Sequence, residues 1–88
     1  MPRFLIERNF AESLDLNKFT PDRIEMGRKV DEEEGIKWLF SFLSPDKRKS
    51  YCLYEATDAE AIRMAARRLN LPADVVIEVD EIRPEMFA

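Results

Sequence analysis

Histidine does not occur among the 88 residues, cysteine occurs once and glycine twice. Without an imidazole the chain lacks the commonest general base, so a serine or cysteine nucleophile would have no ordinary activating partner. One cysteine excludes an intrachain disulfide. No run approaches the ~18 consecutive apolar residues of a membrane-crossing helix, so no membrane partner is expected. The opening MPRFLIERNF carries two arginines and a glutamate within its first eight residues. It lacks the roughly 7 to 15 residue apolar core of a secretory leader, and a cytoplasmic location is expected. Positive charge is also in deficit, with 14 Lys and Arg against 18 Asp and Glu and a net charge of -4. A phosphate backbone would meet repulsion, which argues against a nucleic-acid partner. The length suits one domain over residues 1–88. A domain of that size buries only about 60 to 65% of its unfolded surface, so an apolar face left over would seek a partner.

What is present is a sharply patterned chain. RFLIERNF alternates Phe4 and Ile6 with Leu5 and Glu7 and reads as a strand near residues 3–9. A helix near 21–34 starts at FTPD, with Thr20 as N-cap, Pro21 at the first helical position and Phe19 with Ile24 as a hydrophobic staple. Ile24, Gly27 and Val30 form its stripe, the glycine letting a neighbouring backbone approach, and Gly35 closes it. IKWLFSFL and KSYCLYE form strands near 35–43 and 49–55, joined through SPDKR, where Pro45 and Asp46 supply turn chemistry. A second helix near 58–69 opens with Thr57 as cap and Glu60 completing a capping box, and buries Ala59, Ile62, Ala66 and Leu69 before Asn70 and Pro72 stop it. DVVIEVDEI gives a last strand near 75–82, and RPEMFA is a tail whose Met86 and Phe87 fold back or cross to a partner. The order β-α-β-β-α-β is that of a ferredoxin-like α+β sandwich: a four-stranded antiparallel sheet, order 4-1-3-2, with both helices on one face.

Parity then divides each strand between two faces. The side ending in aliphatic residues, namely Phe4, Ile6, Leu39, Leu43, Leu53, Val75, Ile77 and Val79, is expected beneath the helices. The opposite side collects Leu5, Glu7, Ile36, Trp38, Phe40, Phe42, Ser50, Cys52, Tyr54, Val76 and Glu78. An open face this rich in aromatics exceeds the patch a monomer usually shows, which predicts a homodimer packed sheet on sheet. A space between two such sheets would be an apolar pocket with a few polar groups, the ordinary form of a ligand site. The candidate ligand-binding set is Glu7, Trp38, Phe40, Phe42, Cys52, Tyr54 and Glu78. Two readings of the glutamates stand side by side: paired carboxylates in a partly dry pocket, or rim acids neutralised by Arg3, Lys37 or Arg48. Cys52 reads as a small buried hydrophobe rather than a nucleophile. A base-stacking role for the aromatic row is opposed by the glutamates and the acidic total.

These segments carry a family resemblance. MPRFLIERNF, the hairpin IKWLFSFLSPDKRKSYCLYEA and DAEAIRMAARRLNLPADVVIEV together resemble a family of small bacterial proteins of unassigned function, one member of which is a nickel-binding protein. The W-x-x-S-[FY] and Y-C-x-Y-E-A pieces and the L-P-A-D turn carry the likeness. It implies a ferredoxin-like fold of the dimeric α+β barrel type and, through that member, a metal ion. Members commonly carry histidine two places after the tryptophan and again inside the second helix, where this chain has Phe40 and Ala65. The carboxylates and single thiol that remain are a poorer set for Ni(II). The expected function is a dimeric binding protein holding a small ligand or metal ion on the open face, with the metal ligands and any cofactor unidentified. The alternatives are a cofactor-independent monooxygenase- or isomerase-like enzyme with a carboxylate base, and a protein whose aromatic face is an interface alone.

Overall fold

Residues 1–87 are described by the structure, a computed structural model. Six main elements follow the expected order: β1 (Arg3–Asn9), α1 (Pro21–Glu33), β2 (Lys37–Leu43), β3 (Lys49–Glu55), α2 (Ala59–Arg68) and β4 (Val75–Val79). The sheet order is β2-β3-β1-β4, with every neighbouring pair antiparallel. This is the ferredoxin-like arrangement, read from the opposite edge. β4 stops at Val79 rather than near residue 82, and the tail ends in a short 3-10 turn, Pro84–Phe87, with Met86 and Phe87 exposed.

Local chemistry explains the element ends. Thr20 accepts a hydrogen bond from the Arg23 N–H at 3.3 Å, and Pro21 occupies the first turn, where a missing N–H costs nothing. At the other end Gly35 takes φ 74, so that its N–H reaches the Glu32 carbonyl at 3.1 Å and the Ile36 N–H reaches the Asp31 carbonyl at 2.9 Å. That is the paired closure favoured by a glycine just past the last turn, and it delivers Ile36 into the core. Asn70, at φ 54, does the same for α2. The cap of α2 is Asp58 rather than Thr57, its carboxylate accepting from the Ala61 N–H at 2.9 Å. Glu60 therefore falls one position too early for a capping box, and it pairs with Arg67 at 2.8 Å instead.

Phe4, Ile6, Cys52 and Tyr54 of the sheet pack with Ile36, Ala56, Val30 of α1, and Ile62 and Ala65 of α2. α1 contributes little to this core: only Val30 and Asp31 are buried, and Ile24 is 44% exposed. A Cβ built on Gly27 would lie 4.0 Å from Leu69 Cδ1, an ordinary contact, so the glycine is not required for a close backbone approach. The long segment after β1 is held against the hairpin, where the Leu14 N–H donates to Lys47 O at 2.8 Å and Ser13 Oγ donates to Asp46 O at 2.7 Å.

Candidate functional site on the open sheet face

Directly opposed residues on adjacent strands share a face, so the register decides what each face carries. Three rows cross the side without helices. The middle row runs Phe40, Leu53, Leu5, Ile77 from β2 to β4. On one side of it lies Phe42, Tyr51, Glu7, Val75, and on the other Lys37, Glu55, Arg3, Val79. The middle row is wholly apolar, with Phe40 49% and Ile77 52% exposed, and Phe42 beside it is 66% exposed. Phe40 and Phe42 meet edge to face with ring centroids 5.6 Å apart. The only carboxylates in the three rows are Glu7 and Glu55. Glu7 lies 3.9 Å from Lys49 Nζ and accepts from Asn9 Nδ2 at 3.4 Å, while Glu55 sits between Lys37 and Arg3 in its row.

Of the seven residues expected on this face, the structure brings Glu7, Phe40 and Phe42 together there. Cys52, Tyr54, Glu78 and Trp38 lie on the other side. On β3 the parity is inverted relative to expectation: Cys52 opposes Ile6, Tyr54 opposes Phe4 and Ser50 opposes Arg8, all buried. Leu53 and Tyr51 take the open face instead. The reason is packing: small Ser50 and Cys52 leave room for the helix layer, and the Tyr54 hydroxyl finds a buried donor. On β4 Glu78 opposes Phe4 and Val76 opposes Ile6, which turns Val75, Ile77 and Val79 outward. Glu7 and Glu78 thus stand on opposite faces, and the two-carboxylate pocket does not exist in one chain. Glu78 instead borders a shallow depression of about 510 Å³ at the ends of β1 and β4, with Pro2, Arg3 and Asp80.

Trp38 is redirected by a β-bulge. Trp38 opposes Tyr54 but Phe40 opposes Leu53, so Leu39 is the extra residue, and the face of the strand switches across it. The indole, 46% exposed at the β2 edge, donates from Nε1 to Ser41 Oγ at 2.8 Å.

Beneath the helices lies a polar cluster that the sequence reading missed. Arg8 is buried at 4% exposure; its guanidinium donates to the Pro72 carbonyl and, at 3.4 Å, to the Tyr54 hydroxyl, and lies 5.9 Å from that ring's centroid. Burial pushes Tyr54 up to about 12 against the pull of Arg8. Asp31, in the last turn of α1, is raised from 3.8 to about 6, mainly by burial, with the Arg8 charge acting in the opposite direction. The available signal was Arg8's parity with Phe4 and Ile6.

A four-stranded antiparallel sheet with two helices on one face and an apolar, uncovered opposite face defines the class as ferredoxin-like α+β. The chain belongs to the family described as nickel responsive protein SCO4226-like, whose sequence model matches residues 4–79. It is also similar to the crystal structure of SCO4226 from Streptomyces coelicolor A3(2), with 21% identity over 92% of this chain and 99% of that one, and a TM-score of 0.67. At that identity the likeness carries the fold. No curated protein matches the chain.

The family's description raises nickel, and the donor set can be tested against it. Imidazole nitrogen suits Ni(II), whose tetragonal sites gather nitrogen and oxygen donors in convergent geometry. This chain has no imidazole, its one thiol is buried, and among the described residues no three Cys, Asp or Glu side chains gather closely enough to share an ion. Phe40 lies on the open face and Ala65 in the core, so these two positions do not converge in one chain. The residues do not fit a nickel site.

Proposed function

We propose that the protein is a cytoplasmic homodimeric binding module in which two copies pack open face to open face and hold a small, largely apolar molecule at the seam. The observation that carries this reading is the uncovered middle row, Phe40, Leu53, Leu5 and Ile77. Surface area supports it. A folded monomer of this mass would show about 5,400 Å², whereas the chain shows 6437 Å². The excess, roughly 1,000 Å², is comparable to the ~800 Å² per partner of a standard interface. Phe40, Phe42 and Tyr51 would wall the space and Glu7 would be its polar anchor. One free thiol suits a reducing compartment, and the net negative charge disfavours nucleic acid. No helix among the described residues is long and apolar enough to cross a membrane.

The test is light scattering at micromolar concentration with Leu53→Lys beside the wild type. Leu53 is central in the row, and burying an unpaired ammonium costs several kcal/mol in each copy. The expected result is a dimer that the substitution weakens by at least about 100-fold. A monomeric wild type refutes the reading. Native mass spectrometry of protein from its own host then reports any molecule retained by the dimer.

A further inference from the structure

We infer that this chain coordinates no nickel, either alone or as a face-to-face dimer, although it belongs to a family described as nickel responsive. The inference goes beyond the proposed binding role and rests on donor chemistry in three places. Cys52, the only thiol, sits on the helix-covered face at 7% exposure, with its Sγ 3.6 Å from Ser50 Oγ and Ile6 opposite it. A metal reaching that sulfur would have to displace the core. Three carboxylates of α1 are held by arginines: Arg28 bridges Glu25 and Glu32, each at 2.6 Å, and Arg68 of α2 takes Glu33 at 2.7 Å. Freeing them for an ion would forfeit these bonds and leave an unneutralised guanidinium beside it.

Dimerisation does not repair the deficit. Packing the open faces together contributes Glu7 and Glu55 from each copy and no nitrogen or sulfur ligand from the three rows. Glu7 has Lys49 at 3.9 Å, and Glu55 has Lys37 and Arg3 as its cross-strand neighbours. Adding a divalent cation there would place it beside lysine and arginine in a partly dry seam, where repulsion is strengthened rather than screened. An oxygen-only set is also the one for which nickel has least preference over harder ions.

The experiment uses the full chain without an affinity tag, dialysed to equilibrium against Ni(II). Bound nickel is counted by elemental analysis and the thermal midpoint followed across the titration, with light scattering on the same sample. Nickel far below one ion per dimer and an unmoved midpoint are expected. Half an ion or more per chain retained with a Kd of about 10 µM or tighter, or a midpoint that rises and saturates with nickel, overturns the inference. The two readings separate cleanly: a nickel-free monomer refutes the dimer and leaves this inference standing, whereas a nickel-loaded dimer does the reverse.

Discussion

Replacing Asp31 by asparagine should stabilise the protein near neutral pH and give no comparable gain near pH 4. Asp31 sits in the last turn of α1 beneath the helix layer, where the helix dipole also disfavours negative charge. Its carboxyl titrates near 6 in the folded chain against 3.8 ordinarily. Between those values the unfolded chain has released the proton and the folded chain still holds it, so stability falls as pH rises from about 4 to about 6 and then levels off. At about 1.36 kcal/mol per unit, the interval gives an upper bound of about 3 kcal/mol. Relaxation around a buried charge reduces this to roughly 2. Asparagine keeps the shape and does not ionise, so the difference between variant and wild type should grow by that amount across the interval. Every other acid is common to both proteins and cancels. Urea unfolding at several pH values, at fixed ionic strength and protein concentration, measures it. A difference that does not change with pH refutes the argument. So does one that turns against asparagine as pH rises, which would mean that attraction between Asp31 and Arg8 outweighs desolvation.

Gly27→Ala should raise stability by about 1 kcal/mol, because alanine is the better helix former and its Cβ meets only Leu69 at 4.0 Å; a loss in chemical denaturation would show that α1 and α2 pack more closely than this. Asp58→Ala should cost about 1 kcal/mol and Thr57→Ala only a few tenths, since Asp58 alone accepts the Ala61 N–H; equal losses in the same assay would contradict the cap assignment. Trp38→Lys should leave the proposed dimer intact where Leu53→Lys dissociates it, because the bulge puts Trp38 on the other side of the sheet from the middle row. Light scattering showing that Trp38→Lys also dissociates the dimer would place the interface elsewhere.

The order of elements was legible because every boundary has a local cause. Thr20 with Pro21, Gly35, the SPDKR turn and Asn70 act on backbone within a few residues of themselves, and no tertiary contact is needed to read them. Facing was less legible because it is decided between strands. β1 was read correctly, since Phe4 and Ile6 are large and apolar on one side while Leu5 alternates with Glu7. On β3 the rule that aliphatic residues go inward chose Leu53 over Cys52 and Tyr54, yet the core has room for small groups there and Arg8 satisfies the buried phenol. On β2 strict alternation kept Trp38 with Phe40, and a single inserted residue separated them. A bulge leaves no unambiguous mark in the seven residues KWLFSFL.

The misplaced Glu78 matters more than the other reversals, because the enzyme alternative depended on it. A carboxylate working as a base near neutral pH needs its ionised form disfavoured, by burial and by a neighbouring acid such as Glu78 beside Glu7. Pairing Leu5 with Ile77 puts Glu7 opposite Val75 and Glu78 opposite Phe4, and side chains alternate strictly along both strands. Only a one-residue slip of β4 would bring the two acids to one face. That slip would carry Val76 out to the open face and turn Val75, Ile77 and Val79 toward the helices. It would also break the anchor at the start of β4, where the Asp74 N–H donates to Glu7 O at 3.0 Å and the Asp74 carboxylate accepts the Asn9 N–H at 2.7 Å. With the register pinned at that end, Glu7 stands without a second acid in the rows beside it except Glu55, which its own row already surrounds with cations. The open face of one chain therefore offers an apolar middle row with the Glu7 carboxyl beside it and no second acid within its own row.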